Sequence, residues 1–321
     1  MKIGVTGTGS LIGQAIIKCL KKSKYSEIEI TGFDYFTDTI GSYWCQNNYL
    51  LPDIYKDPSK EIEWLEKIIE VLANGRIDFL FIGVDFELSL FAKHKDYIEA
   101  KTNTKIVISS ESVIEIGNDK YKTYEFLKEN GFYYPATIKY EGIVPKDIIY
   151  PVIVKPAVGA RSRGVYIVSS HSDLVEKSVT IENPIIQELV GNDENEYTCG
   201  VLMLDNKFIS SIVLRRTLKE GNTSKSYYSK DYPEIIDQYI KQIAEKLNPF
   251  GSCNLQLRLD IDGIPKLFEI NPRHSGTTYM RTLFGYNEIE MILDYFITGH
   301  TDIPVLQPGM AIRYFEEMYI N

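Results

Sequence analysis

The 321-residue sequence predicts an N-terminal α/β unit built on a parallel sheet, followed by an α+β part whose strands run largely antiparallel. Three observations carry this. In the first third, short apolar runs alternate with amphipathic stretches at helical spacing, the pattern of parallel strands with right-handed crossovers. A glycine-bearing turn, Gly7-Thr-Gly9-Ser-Leu-Ile-Gly13, follows the first apolar run. Beyond Ile116-Gly117 the pattern changes, and Pro135, Pro145 and Pro151 punctuate short β-rich pieces joined by turns.

Taken in order, Ile3 to Thr6 reads as a buried strand, Ile12 to Leu20 as the helix after the turn, and Ile28 to Phe33 as a second strand. A helix from Lys60 to Ala73 leads into a strand from Asp78 to Gly83, a further helical stretch, and a strand from Lys105 to Ser109. Asn118 or Asp119 caps a helix running to Glu129, which Asn130-Gly131 stops. Strands are then expected at Pro151 to Lys155, Gly164 to Val168, Glu196 to Leu204 and Lys207 to Leu214. Two more, Ser252 to Asp260 and Lys266 to Ile270, flank Asp262-Gly263, a tight hairpin signal. Helices are expected at Pro233 to Leu247 and Thr278 to Thr298. The polar stretch Lys219 to Tyr232 lacks apolar periodicity and reads as a surface loop, with a flap over substrate as the alternative.

Lysine and arginine number 35 against 44 aspartates and glutamates, a net charge of −9. That argues against nonspecific nucleic-acid binding, which needs a positive footprint, but leaves room for a local basic pocket. Cys19, Cys45, Cys199 and Cys253 lie far apart with no CxxC pair, so reduced, mostly buried thiols are expected. No apolar run approaches a membrane span and no signal-like segment leads the chain, so the expectation is a soluble, cytoplasmic protein.

The N-terminal turn has the spacing GxGxxxG rather than GxGxxG, and Asp34 follows the second strand. Two readings stay open: a nicotinamide-cofactor turn, and a tight strand-to-helix connection that needs its glycines for packing alone.

A second constellation lies downstream, and no P-loop sequence accompanies it. Tyr150-Pro-Val-Ile-Val-Lys155 sets a lysine at the end of an apolar strand, and a loop from Gly159 to Gly164 follows with Arg161, Ser162 and Arg163. Backbone N–H groups freed by the glycines suit phosphate oxygens; an ordinary basic hairpin would explain the glycines but not the lysine. Pro184-Ile-Ile-Gln187-Glu188-Leu189-Val190 can present backbone groups to a base edge, with Glu196 nearby for ribose hydroxyls. In strand geometry Asn254, Gln256 and Arg258 share one face, as do Glu269 and Asn271. Across a hairpin these oxygen donors converge, and one carboxylate among them suits magnesium already held by phosphates. Arg273 adds a charge suited to a transferring phosphoryl group.

Together these elements resemble the ATP-grasp superfamily, in its carbamoyl-phosphate-synthase-like branch of stand-alone ligases. The match runs in order through Asn118-Asp119-Lys120, Lys155-Pro156, the Gly159 to Gly164 loop, Gln187-Glu188, Glu196, Gln256 and Glu269-Ile-Asn271-Pro-Arg273. The resemblance implies a pre-ATP-grasp α/β domain over 1–110, a lid subdomain over 111–190 and a C-terminal ATP-grasp subdomain over 191–321. It implies ATP between two antiparallel sheets, with Lys120, Lys155, Gly159, Ser162 and Gly164 at the phosphates or adenine. Gln187, Glu188, Leu189 and Val190 would form the adenine hinge, and Glu196 would hold the ribose. Gln256, Glu269 and Asn271 would place magnesium, or manganese in its stead, with Lys155 and Arg273 serving catalysis. Two departures stand out: Gln256 replaces a commonly acidic metal ligand, and Arg161-Ser-Arg163 replaces a glycine-serine run, so that its charge is available to substrate.

The implied activity is an ADP-forming carboxylate–amine ligase acting through an acyl phosphate. Alternatives are a carboxyphosphate- or carbamate-forming enzyme of the same fold and, from another class, a nicotinamide-dependent oxidoreductase using Gly7 to Gly13. Small carboxylates and amines are the expected partners, without nucleic acid or membrane, and the family is compatible with a homodimer. Lys155, Arg161, Arg163, Arg215, Arg216 and Arg273 are expected to gather about one anionic ligand. His274, Ser275 and Gly276, with Thr277 and Thr278, form the candidate acceptor site before the last helix; helix capping is the alternative role for its hydroxyls.

Overall fold

In a computed structural model that describes residues 1–145, 147–159 and 162–320, three sheets follow one another along the chain. The first contains β1 (Lys2–Thr6), β2 (Glu29–Asp34), β3 (Asn47–Leu50), β4 (Phe79–Phe81) and β5 (Lys105–Val107). Its order is β3-β2-β1-β4-β5 and every pairing is parallel. Crossovers α1 (Leu11–Lys22), α2 (Glu61–Gly75) and α3 (Leu88–Thr102) cover it. Ser10 caps α1 by accepting from the Gly13 N–H, and the buried stripe Ile12, Ile16, Ile17 and Leu20 faces inward.

Helices α4 (Glu111–Asn118) and α5 (Lys120–Glu129) come next, and Asp119 caps α5 as its sequence indicates. A small antiparallel sheet follows, in the order β6-β9-β7-β8: β6 (Thr137–Lys139), β7 (Val152–Pro156), β8 (Tyr166–Val168), then α6 (His171–Ser178) and β9 (Pro184–Glu188).

The large sheet comprises β10 (Glu196–Leu204), β11 (Lys207–Lys219), β12 (Asn222–Tyr228), β13 (Gly251–Leu259), β14 (Pro265–Asn271) and β15 (Gly309–Ile312). Its order is β14-β13-β10-β11-β12-β15. On one face lies α7 (Glu234–Leu247), burying Ile236, Ile240, Ile243 and Leu247, each worth about 1.5–3 kcal/mol. Val113 of α4 and Leu127 of α5 share that core. On the other face α8 (Thr278–Leu283) and α9 (Glu288–Thr298) pack with α1 and the first sheet, where Ile16, Leu20, Leu202, Phe284 and Leu293 form one core. The N-terminal unit is therefore anchored to the large sheet by apolar packing.

Three expectations need correction. The polar stretch 219–232 is largely strand: β12 pairs with β11 and β15, and its alternation is weak because much of it is only half-buried. The last helix is broken between α8 and α9 at Gly285, whose φ of +100° ends a helical path and whose Cβ would lie 2.9 Å from the Val305 carbonyl oxygen. β11 also runs to Lys219, beyond Leu214. Among the described residues no helix is long and apolar enough to cross a membrane.

Candidate active site

The small and large sheets face each other across a cleft, and β7 delivers Lys155 into it. Lys155 Nζ donates to Gln187 Oε1 at 2.7 Å, and Gln187 Nε2 donates to Thr137 Oγ1 at 2.9 Å, all three residues being buried. Burial, then the nearby Lys120 ammonium, pushes the Lys155 ammonium down to about 7. Its direct partner is neutral, so phosphate oxygens would supply the negative charge it lacks. From the large sheet the Phe268 ring lies 5.6 Å from Lys155 Nζ. Lys120 Nζ donates to the Gly159 carbonyl at 2.8 Å and ties down the glycine loop. Gly164 occupies a φ of +70°, as a closing turn requires. Ser162 and Arg163 line the cleft; Ala160 and Arg161 lie outside the described residues.

Beyond β9 the chain turns at Gly191, where φ is +52° and a Cβ would lie 2.2 Å from the Leu259 carbonyl oxygen. This close crossing seats Leu189 and Val190 between the two sheets. Glu188 accepts from the Ala136 N–H at 3.0 Å and from Lys266 Nζ at 2.6 Å, so its side chain clamps the hinge to β14. Glu196 is buried and its two oxygens are held by Arg216 Nε at 2.8 Å and Arg258 Nε at 2.9 Å. Burial alone would raise its carboxyl, but the two guanidinium groups outweigh that and hold it below the ordinary carboxylate value. The carboxylate proposed for ribose is thus poised by two cations.

Hairpin β13–β14 sets Gln256 opposite Glu269 and Asn254 opposite Asn271. Asn271 Nδ2 donates to Glu269 Oε1 at 3.2 Å, and its Oδ1 accepts from Arg273 Nη2 at 2.8 Å. Gln256 Oε1 accepts from Arg216 Nη2 at 2.6 Å. These are hard oxygen donors with a single carboxylate. Among the described residues no three His, Cys, Asp or Glu side chains converge. The donor set fits a divalent ion whose other ligands are phosphate oxygens and water. Asn254 does not join it: its amide oxygen accepts from Thr198 at 2.8 Å and from Arg281.

The acceptor loop divides between two environments. His274 is a correction, because it points into a buried polar cluster with Nδ1 3.1 Å from Glu288 Oε1 rather than toward the cleft. In that cluster Arg281 Nη1 meets Glu288 Oε2 at 3.0 Å, and Arg281 with His274 and Thr278 outweighs burial to hold the Glu288 carboxyl far below its ordinary value. Ser275 reaches the cavity wall, but its hydroxyl is engaged with Thr277 Oγ1 at 2.7 Å. Gly276 faces the cavity, and its carbonyl accepts from Arg313 Nη2 at 2.7 Å. Arg215 is a second correction. It alternates with Arg216 along β11, lies over the Tyr227 ring at 4.6 Å, and faces away from the cleft.

The space beside Lys155 measures about 170 Å³ and opens past Glu269 into a cavity of about 1050 Å³. The wider part is walled by Asn271, Arg273 and Arg313 and, from the N-terminal unit, by Asp85 and Phe86. Asp85 accepts from Arg273 Nε, a contact that nothing local in the sequence marks. Arg313 was equally invisible: it follows an edge strand, and among the described residues no carboxylate pairs with it. Arg258 could have been found, since it shares the face of Gln256.

The N-terminal turn is closed on itself. Asp34 Oδ2 accepts from Thr8 Oγ1 at 2.8 Å and from the Gly9 N–H at 2.6 Å, while Oδ1 accepts from the Tyr35 N–H at 2.7 Å. A Cβ at Gly13 would lie 2.2 Å from the Gly7 carbonyl oxygen. The glycines serve packing and the acid's hydrogen-bonding capacity is taken up within the turn, which disfavours the nicotinamide alternative.

Comparison with known proteins agrees with this geometry. Residues 182–318 match a family model described as ATP-grasp in the biosynthetic pathway with Ter operon. D-alanine–D-alanine ligase A of Bacillus cereus is 23% identical over 236 residues, covering 64% of this chain and 76% of that protein. Carbamoyl-phosphate synthase of Methanobrevibacter smithii is 22% identical over 258 residues, covering 75% of this chain and 68% of its own. The structure of the L-amino acid ligase from Bacillus licheniformis superposes with a TM-score of 0.72 at 15% identity, covering 95% of this chain and 75% of that one. Over residues 182–318 the chain is thus similar to the ATP-grasp family, and its fold, a parallel α/β unit ahead of two facing sheets, is shared with the solved ligase structure.

Proposed function

We propose that the protein is an ATP-dependent carboxylate–amine ligase that forms an amide or peptide-like bond and releases ADP and phosphate. The single observation that carries this reading is the continuity of the two spaces. A lysine-lined cleft between the sheets opens, at Glu269 and Arg273, into a cavity with room for further reactants. The names of the ligases to which the chain is similar support it.

A carboxylate is a poor electrophile, and transfer of the γ-phosphoryl group from ATP to one of its oxygens creates a good leaving group that an amine displaces. The chain's part is to bind, orient and neutralise. Lys120 and Lys155 would hold phosphates beneath the glycine loop, Glu188 to Val190 the adenine, and Glu196 the ribose. Gln256, Glu269 and Asn271 would hold magnesium or manganese, which would offset charge on the triphosphate. Arg273, fixed between Asp85 and Asn271, would stabilise charge on the transferred group. Arg313 and the Gly276 loop would receive an anionic group of a substrate. Arg163 would offer its charge to a substrate from the loop. We place the nucleotide-binding lid in 111–190 and the metal-bearing half in 191–321.

Incubation with magnesium ATP and arrayed amino acids, amines and small carboxylates tests the reading through ADP release. Release that needs both an acid and an amine supports it. Release that depends on bicarbonate and no other acid would favour the carboxyphosphate reading instead, which the similarity to carbamoyl-phosphate synthase keeps open.

A further inference from the structure

We propose that the acid taken by this site carries a flat apolar body, which lies on a wall formed by Phe36, Tyr55 and Phe86; the proposal rests on the ligase reading above and narrows its substrate class. All three residues line the wide cavity from the N-terminal unit, in company with Asn271 and Arg273. Phe86 is the chain neighbour of Asp85, the residue that accepts from Arg273, so the apolar wall begins one residue from the cationic centre. A carboxylate at Arg273 therefore has aromatic surface within the same cavity for its attached body.

The wall is built rather than incidental. Phe86 packs on Tyr35 with centroids 5.0 Å apart and on Tyr55 at 5.3 Å. Tyr35 is fixed from behind, donating to Glu87 Oε1 at 2.6 Å and accepting from Trp64 Nε1 at 3.0 Å. Yet Phe36 is 63% and Tyr55 73% exposed. Aromatic surface left wet beside a charged cavity is what a ligand with an apolar face would cover. The same cavity carries Arg273 and Arg313, so it complements an amphipathic anion that offers charge to the guanidinium groups and a ring to the aromatic side chains. A small polar acid would leave the rings hydrated and gain nothing from them.

The test uses the full chain with magnesium and a non-hydrolysable ATP analogue. Binding of 3-phenylpropanoate and propanoate is followed by ligand-observed NMR in the wild type and in the Phe36→Ala/Tyr55→Ala double variant. Both positions are exposed, so thermal stability and ATP affinity should not change. Preference for the phenyl compound of about tenfold or more is expected in the wild type, given two lost aromatic contacts, and should collapse in the variant. Equal or undetectable binding of the two probes, or a preference the variant keeps, would overturn the proposal. Adding magnesium ATP and an amine panel separates the two levels of inference. Wall-dependent binding without any acid-dependent ADP release would leave the aromatic site standing and remove the ligase reading. ADP release from small polar acids at rates untouched by the double variant would do the reverse.

Discussion

Asp85 accepts a hydrogen bond from Arg273 Nε although the two lie 188 positions apart. The contact joins the loop after β4 of the parallel sheet to the loop after β14 of the large sheet. It leaves Nη2 of Arg273 on Asn271 and Nη1 on the His274 carbonyl, at 2.8 and 3.0 Å. A guanidinium tethered on three sides is preorganised for charge that develops beside it. Asp85→Ala should cost less than about 1 kcal/mol of stability, because the pair is partly exposed. Turnover should fall while ATP affinity holds. Thermal melts and steady-state kinetics check both, and unchanged turnover would mean that the tether does not position Arg273.

Glu269→Ala removes the only carboxylate of the proposed metal set. Its side chain is half-buried and its partner is an amide, so the fold should survive. ADP production should fall by about 100-fold or more, the scale on which electrostatic stabilisers act. A rate near that of the wild type would remove Glu269 from the metal site.

Lys155 gives a pH signature. In the folded, nucleotide-free protein it loses its proton near 7, whereas the unfolded chain keeps it to about 10.5. Between those values the native state binds fewer protons than the unfolded one, so stability rises with pH across that window, and the cost of the buried charge is fully present below it. Lys155→Met should therefore raise the melting temperature more at pH 6 than at pH 9, while weakening ATP binding. In the wild type, ATP binding at pH 8 should take up a proton, visible by calorimetry in buffers of different ionisation heat. Proton-neutral binding would contradict the contact with phosphate.

Glu87 shows the opposite sign. Burial pushes its carboxyl up to about 7, against hydrogen bonds from Thr6 and Tyr35. From about 4.5 to 7 the native state binds more protons than the unfolded one, so stability falls as pH rises through that range. Glu87→Gln should be less costly at pH 8 than at pH 5, as denaturant titrations at the two values would show. Equal costs would contradict the shift.

Arg313→Ala removes a half-buried cation that, among the described residues, is in no ion pair. The KM of an anionic substrate should rise about tenfold or more, as for loss of a charge-assisted hydrogen bond, with ATP affinity unchanged. A KM within twofold of the wild type would place Arg313 outside the substrate path.

The chain's own alternation made much of this legible. Gln256 and Arg258 between leucines, and Glu269 with Asn271 across Asp262-Gly263, fix a two-faced hairpin by period alone. Lys155 at the end of an apolar strand announced itself because buried charge needs a reason. Asp85 and Arg313 did not, since each meets the site through tertiary packing and neither local pattern differs from surface. β12 was missed because a half-solvated strand near a sheet edge carries little alternation. His274 was misplaced because the chain turns at Pro272, after which strand period no longer says which way a side chain faces.

Transfer of the terminal phosphoryl group of ATP to a carboxyl oxygen leaves a mark that no other reaction in this cleft would make. The decisive measurement takes the acid selected by the ADP-release screen, labels its carboxylate with oxygen-18, and reads the released phosphate by mass spectrometry. One labelled oxygen per phosphate is the predicted result; phosphate carrying only unlabelled oxygen would contradict the acyl-phosphate route and, with it, the role assigned to Arg273.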